Sequence, residues 1–221
     1  MRFALIVSAA LFATSAHANL ITNGSFETPR VALGGYAQFF AGQSFGGWTV
    51  SGSDVVLIEQ SYSETDDGNT VTFNADTGVQ ALDITGAGNS GLNRISQTVV
   101  TRPGKRYALS FAVGVANDFN GGRFGTPSSI RAYAGGNLLG TFTNSTLLPG
   151  GVNFRLFTTS FVAPSASTTI EFENATAGGD AGGNYYAGLD SVDLVIDTPA
   201  PAAVGLFGLS ALGIGVARRR R

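Results

Sequence analysis

Apolar and polar residues alternate in short runs through the middle of the chain. In Val79–Ile84, Val79, Ala81 and Asp83 fall on one face and Gln80, Leu82 and Ile84 on the other, the period of a β-strand. Similar runs predict strands near Trp48–Val50, Val55–Glu59, Arg94–Val100, Arg106–Val115, Ser129–Ala134, Leu138–Phe142, Phe154–Val162 and Thr168–Glu173. "YYAGLDSVDLVID" supplies the last strand, and Leu20-Ile21 suggest a first one. Turn chemistry separates them: Asn23-Gly24 after the first, Pro103-Gly104 between two of the longest. "SYSETDDGNT", "ANDFNGGRFGTP" and "NATAGGDAGGN" read as polar or glycine-rich loops. About nine short strands with no helical period predict an all-β fold, a β-sandwich of the jelly-roll kind. No internal repeat and no domain boundary show before Thr198.

Both ends depart from this pattern. "MRFALIVSAALFATSAHA" has a basic start, an apolar stretch from Phe3 to Ala13 and a small-residue cleavage site, Ala16-His17-Ala18. Residues 1–18 therefore read as a secretory signal peptide, cut between Ala18 and Asn19. At the other end, Ala202–Ala217 is mostly apolar and is followed by Arg218, Arg219, Arg220 and Arg221. As a helix it would be about 24 Å long, short of the roughly 30 Å hydrocarbon core. Snorkelling arginines close part of that gap, and the arginine block stays cytoplasmic with the folded domain outside. Gly205, Gly208, Gly213 and Gly215 weaken the helix, and Pro199 and Pro201 break the approach to it. A short, marginal span fits a sorting signal that is held in the membrane and cut better than it fits a permanent anchor or a core helix. The expected organisation is 1–18 signal, 19–197 sandwich and 198–221 sorting segment.

Removing the signal changes the chemistry. The single histidine is His17, and the chain has no cysteine, so the exported protein would have neither imidazole nor thiol. That excludes His/Cys zinc sites, Ser-His-Asp triads and Cys-His dyads. Without Arg2 and the four terminal arginines, 8 basic residues face 15 acidic ones, a net charge near −7. An acidic surface of this kind argues against a nucleic-acid partner.

Several motifs look catalytic until their context is read. Gly42–Gly46, "GQSFG", has the spacing of a nucleophile elbow, but no base serves Ser44 and no helix follows. Gly86–Gly91, "GAGNSG", matches a dinucleotide fingerprint but runs into a strand instead of a helix N-terminus. Glu171 and Glu173 share a strand face and could pair for acid–base hydrolysis, but exposed strand carboxylates are usually just solvated. Glu64–Thr70, "ETDDGNT", is oxygen-rich yet lacks an EF-hand's alternation. Trp48 reads as core. Tyr36, Phe39, Phe40, Phe119, Phe124, Tyr185 and Tyr186 read as loop aromatics that could stack on sugar rings, although each taken alone fits core packing better.

Two resemblances add to this. Pro199-Ala200-Pro201, the glycine-rich apolar segment and the terminal arginines resemble the PEP-CTERM sorting signal of Gram-negative bacteria, with Ala200 in place of the usual glutamate. The resemblance implies cleavage by an exosortase-like membrane protease and a setting of extracellular polysaccharide. "NLITNGSFE", "GWTVSGSDVVLI", "ISQTVVTRPGKRYALSF" and "LDSVDLVI", in that order, resemble choice-of-anchor domains with a galactose-binding-like, carbohydrate-binding-module-like jelly roll. That likeness implies a structural calcium tying the first strand to the last, held at the matching positions Glu27 and Asp190.

The expectation is a non-enzymatic, exported protein of the cell surface or biofilm matrix that binds or organises extracellular polysaccharide. A purely structural matrix protein and a glycan-processing enzyme are the alternatives.

Overall fold

The structure, a computed structural model, describes residues 18–66, 68–87, 92–117, 124, 126–176 and 186–197. Its strands are β1 (Tyr36–Phe40), β2 (Ser44–Phe45), β3 (Trp48–Ser51), β4 (Asp54–Glu59), β5 (Ser63–Asp66), β6 (Asn69–Thr72), β7 (Gln80–Asp83), β8 (Arg94–Val100), β9 (Arg106–Asn117), β10 (Ser128–Ala134), β11 (Asn137–Asn144), β12 (Gly151–Val162), β13 (Ser167–Asn174) and β14 (Gly188–Ile196). Among the described residues there is no helix, and so none that is long and apolar enough to cross a membrane. The two terminal segments lie outside the described residues.

Two six-stranded antiparallel sheets form a jelly-roll sandwich. Sheet I has the order β1-β4-β7-β14-β9-β12, sheet II the order β11-β10-β13-β8-β3-β2, and β5-β6 is a separate hairpin. Alternation explains the packing. In β8, Ile95 and Val99 point inward and Arg94, Ser96 and Thr98 outward; in β10, Ile130, Ala132 and Ala134 alternate with Ser129, Arg131 and Tyr133. Trp48 is fully buried between the sheets, as its sequence context predicts, with ring centroids 5.6 Å from Phe26 and 6.2 Å from Phe172.

The "NGSFE" motif closes one end of the sandwich. Asn23 and Phe26 take left-handed backbone angles (φ 53° and 57°), which lets the chain reverse and sink Phe26 into the core. Gly24 lies against the backbone of β14, where an added Cβ would sit 2.0 Å from the Val192 carbonyl oxygen. Only glycine fits there. Instead of the expected first strand, residues 19–24 form an irregular segment stitched to β14. Leu20 N donates to Leu194 O, Val192 N to Gly24 O, and Asn19 Nδ2 to Val192 O.

β4 and β7 are buried on both faces, and strict alternation does not predict that. A second apolar cluster covers the outer side of sheet I: Val56, Ile58, Val71, Phe73, Phe124 and Tyr186 are all buried there. Its lid includes the β5-β6 hairpin, formed by the stretch expected to be a polar loop.

Candidate ligand-binding face

The register of sheet I aligns one transverse row on its outer face: Gln38, Val56, Asp83, Gly188, Gly114 and Phe154, on β1, β4, β7, β14, β9 and β12. The two adjacent glycines form a floor. A Cβ on Gly188 would lie 2.5 Å from the Tyr186 hydroxyl oxygen, and one on Gly114 would lie 2.7 Å from the Phe154 ring. Both rings therefore rest directly on backbone.

Aromatic contacts run from the exposed edge into this cluster. Tyr36 meets Tyr62 edge-on at 5.4 Å, Tyr62 meets Phe73 at 5.6 Å, and Phe73 meets Tyr186 at 5.1 Å and Phe124 at 5.8 Å. At the edge, β1 presents Tyr36, Gln38 and Phe40 outward while Ala37 and Phe39 pack against the core. Tyr36 is 53% exposed and Phe40 52%. Four residues along a strand separate their positions by about 13 Å. Between them, Gln38 Nε2 donates to Asp54 Oδ2 at 2.9 Å, and Ala87 N donates to the same oxygen at 2.7 Å.

Asp83 is the unusual group of this face. Thr85 N and Thr85 Oγ1 both donate to its Oδ1, at 2.9 and 2.6 Å, and Ala187 N does so at 3.3 Å. Burial still outweighs these donors and pushes its pKa up to about 7, with a smaller push from the Asp54 charge. Burial likewise raises the Tyr186 phenol well above its usual value, and the Asp83 and Asp190 charges act in the same direction.

Glu27 and Asp190 meet on one loop. Glu27 Oε1 accepts from Val79 N and Gln80 N, while its Oε2 pairs with Arg30 at 3.2 Å. Asp190 Oδ2 accepts from Asp76 N and Thr77 N, and Oδ1 from Ser191 N. Every carboxylate oxygen of the two residues thus already accepts a hydrogen bond or an ion pair. Among the described residues no three acidic, histidine or cysteine side chains group as metal ligands. The pair clamps residues 76–80. Burial raises Asp190 to about 7.

The other candidates resolve as follows. Glu171 and Glu173 do share a face, but Arg94 Nη1 pairs with Glu171 Oε1 at 2.9 Å, Arg94 Nη2 pairs with Glu173 Oε2, and Arg131 Nη1 pairs with Glu173 Oε1 at 2.6 Å. Two guanidiniums hold them, and nothing in the arrangement frees one carboxyl to serve as an acid. Ser44 lies on β2, its Oγ 3.2 Å from Thr49 Oγ1, and no base bonds to it among the described residues. Tyr36, Phe39 and Phe40 are strand residues and not loop residues. Phe39 stacks on Phe45 at 4.5 Å, and Phe124 and Tyr186 are buried. Phe119, Tyr185, Gly88–Gly91 of "GAGNSG", Pro199-Ala200-Pro201 and Arg218–Arg221 lie outside the described residues. Ala18 and Asn19 are exposed, and among the described residues Asn19 is the first whose side chain bonds into the fold, its Oδ1 accepting from Leu194 N at 3.0 Å.

The sequence reading did not single out Gln38, Asp54, Tyr62, Phe73 or Asp83 as site residues. One signal pointed to Asp83: an aspartate on the same strand face as Val79 and Ala81.

A family model described as HpiC1-like, HpiC1 cyclase, matches residues 17–194. The chain belongs to the HpiC1-like family. No curated protein matches it. Among solved structures, this HpiC1-like chain is similar to the CBM22-1 xylan-binding domain of Paenibacillus barcinonensis Xyn10C, at 15% identity and a TM-score of 0.46, covering 85% of this chain and 100% of that one. It is also similar to TmCBM61 in complex with β-1,4-galactotriose, at 15% identity and a TM-score of 0.47, covering 81% of this chain and 99% of that one. A CBM4 structure aligns at 18% identity and a TM-score of 0.41, covering 80% and 99%.

Proposed function

We propose that the chain is an exported, non-enzymatic sandwich that binds extracellular polysaccharide across the β1 edge of sheet I. One observation carries this reading. Tyr36 and Phe40 are exposed on the same face of β1, with the Gln38 amide between them and Asp54 behind it. Rings spaced along an edge offer flat apolar platforms to successive sugars, and the amide and carboxylate fix orientation through hydroxyl hydrogen bonds. In this reading the signal is cut after Ala18, and an exosortase-like protease cuts the tail near Pro199-Ala200-Pro201. The product is delivered to the envelope or matrix of a Gram-negative bacterium. An exposed Ala18 beside a bonded Asn19 supports the first cut.

The test is binding of the full chain to a panel of polysaccharides, followed by titration calorimetry. Tyr36→Ala and Phe40→Ala should each weaken binding about fivefold, the loss of roughly 1 kcal/mol of ring contact. No binding to any glycan, or ring variants that bind as tightly as wild type, would end the proposal.

Asp83 and the family description favour a second reading, a ring-forming enzyme. A buried carboxyl that keeps its proton up to about pH 7, beside an aromatic cluster, is equipped to donate that proton to an apolar substrate. Loss of a turnover in Asp83→Asn, with ligand binding retained, separates this reading from the first.

A further inference from the structure

The end of the sandwich where both termini emerge carries a different surface from the rest. Leu20 bonds to Leu194, so residues 18–19 run beside the last residues of β14, and Asp197 N donates to Arg106 O at 3.0 Å. The first and last described residues therefore lie at the same end of the sandwich. They lie next to the β8–β9 turn, "TRPGKR", in which Arg102, Lys105 and Arg106 are all exposed. These are three of only 8 basic residues between Asn19 and Asp197, on a domain with 15 acidic ones. Apolar side chains flank them: Val100 is 82% exposed, and Val162, the register partner of Arg106, is 51% exposed.

We infer that this end is a membrane-resting surface, with Arg102, Lys105 and Arg106 set against anionic lipid headgroups and Val100 and Val162 against the interface. The inference rests on the reading of residues 198–221 as a membrane-held sorting segment. The length and position of that segment supply the geometry. Its apolar stretch begins at Ala202, only five residues after Asp197, and so holds this end of the domain at the bilayer surface. An acidic domain tethered there would be repelled by an anionic leaflet unless it turned a basic end toward it. Apolar residues among cations are what an interface-resting surface requires. The same docking would present the tail junction to a membrane protease at a fixed height.

Because the chain has no cysteine, single labels are straightforward to place. Ser165→Cys lies at this end, where Ser165 O accepts from Thr101 Oγ1; Ser145→Cys lies at the opposite end, just after β11. Each full-length protein carries an environment-sensitive dye and is mixed with vesicles of phosphatidylglycerol and phosphatidylcholine, or of phosphatidylcholine alone. For the exported protein, from which the leader has been cut, sedimentation with the neutral vesicles reports the tail by itself. The Ser165 dye should shift to the blue on anionic vesicles, the Ser145 dye should not, and added salt should reverse the shift. Replacing Arg102, Lys105 and Arg106 together with glutamine should weaken this docking roughly 100-fold, about fivefold per cation. Equal response of the two dyes, or a shift that survives the triple substitution, overturns the inference while leaving the tail reading intact. Failure to sediment with neutral vesicles overturns the tail reading, and a salt-sensitive Ser165 shift on anionic vesicles in that case still supports the basic surface.

Discussion

The outer faces of the two sheets handle charge in opposite ways. On sheet II, Arg94, Arg131, Glu171 and Glu173 neutralise one another, and neighbouring hydroxyls pair across strands, Thr98 with Thr169 and Ser129 with Thr143. That face is complete without a ligand. On sheet I, Asp54, Asp83 and Asp190 are buried with no salt bridge among the described residues, and an exposed Tyr36 and Phe40 stand at the edge. A face whose buried carboxyls are held by uncharged donors, with rings exposed at its edge, differs from one closed by ion pairs, and its edge rings offer apolar platforms. Strand carboxylates alone, which Glu171 and Glu173 offered in the sequence, do not reveal such a face; the exposed rings of β1 do.

The largest expected effect comes from dismantling the complete face. Glu173 is almost wholly buried, whereas both its arginines are more than a third exposed. Removing the carboxylate lets the arginines rehydrate; removing the arginines strands a buried charge. Arg94→Ala combined with Arg131→Ala should therefore destabilise the fold by about 3–5 kcal/mol in urea unfolding, and Glu173→Gln by distinctly less. If the two changes cost the same, Glu173 is not held by charge pairing and the contrast between the faces fails.

Next comes pH, which should act mainly through sheet I. Asp83 and Asp190 are both raised by burial from the usual 3.8 to about 7. Between those values each is protonated when folded and ionised when unfolded, so the unfolded chain binds fewer protons. The stability these groups contribute is fully present below about pH 4 and falls as pH rises toward 7, by up to about 1.4 kcal/mol per unit for each group. Asp83→Asn should remove its share of that slope and stabilise the protein at pH 8 by on the order of 2 kcal/mol. The slope that remains belongs to Asp190. Unfolding measured at pH 4, 6 and 8 checks this, and an unchanged slope in Asp83→Asn would show that its carboxyl is not held neutral.

Alternation made most of the fold readable. β8 matches its expected limits, and β3, β4, β7, β9, β10, β11, β12, β13 and β14 lie within a few residues of theirs, because each has one face on the core. The misses share a cause. β1 is an edge strand with two aromatics among its three outward residues, so only Gln38 marks a polar face in Tyr36–Phe40. β5 and β6 consist largely of polar residues, and pairing with each other makes them strands. The candidate site was less legible than the fold, since it depends on which strands lie side by side. Nothing in the chain order of Gln38, Asp83, Gly114 and Phe154 announces that they share one row.

The smallest effect tests the glycine floor. On sheet I, Gly188→Ala places a methyl group 2.5 Å from the Tyr186 hydroxyl oxygen, inside a cluster already packed by Phe73 and Phe154. The ring has to lift off the sheet, and overpacking of this kind costs about 1–3 kcal/mol. On sheet II, Ser96 occupies an outward position of β8 facing Thr49, and Ser96→Ala should change stability by no more than about 0.5 kcal/mol. The two substitutions each add or trim very little, so their difference measures how closely each face is packed. A lifted Tyr186 should also change the surroundings of Asp83, and the pH slope of Gly188→Ala should move toward that of Asp83→Asn. If the stability falls but the slope stays, Tyr186 packs on the floor without shielding the carboxyl, and the burial of Asp83 must come from Val56 and the Thr85 turn instead.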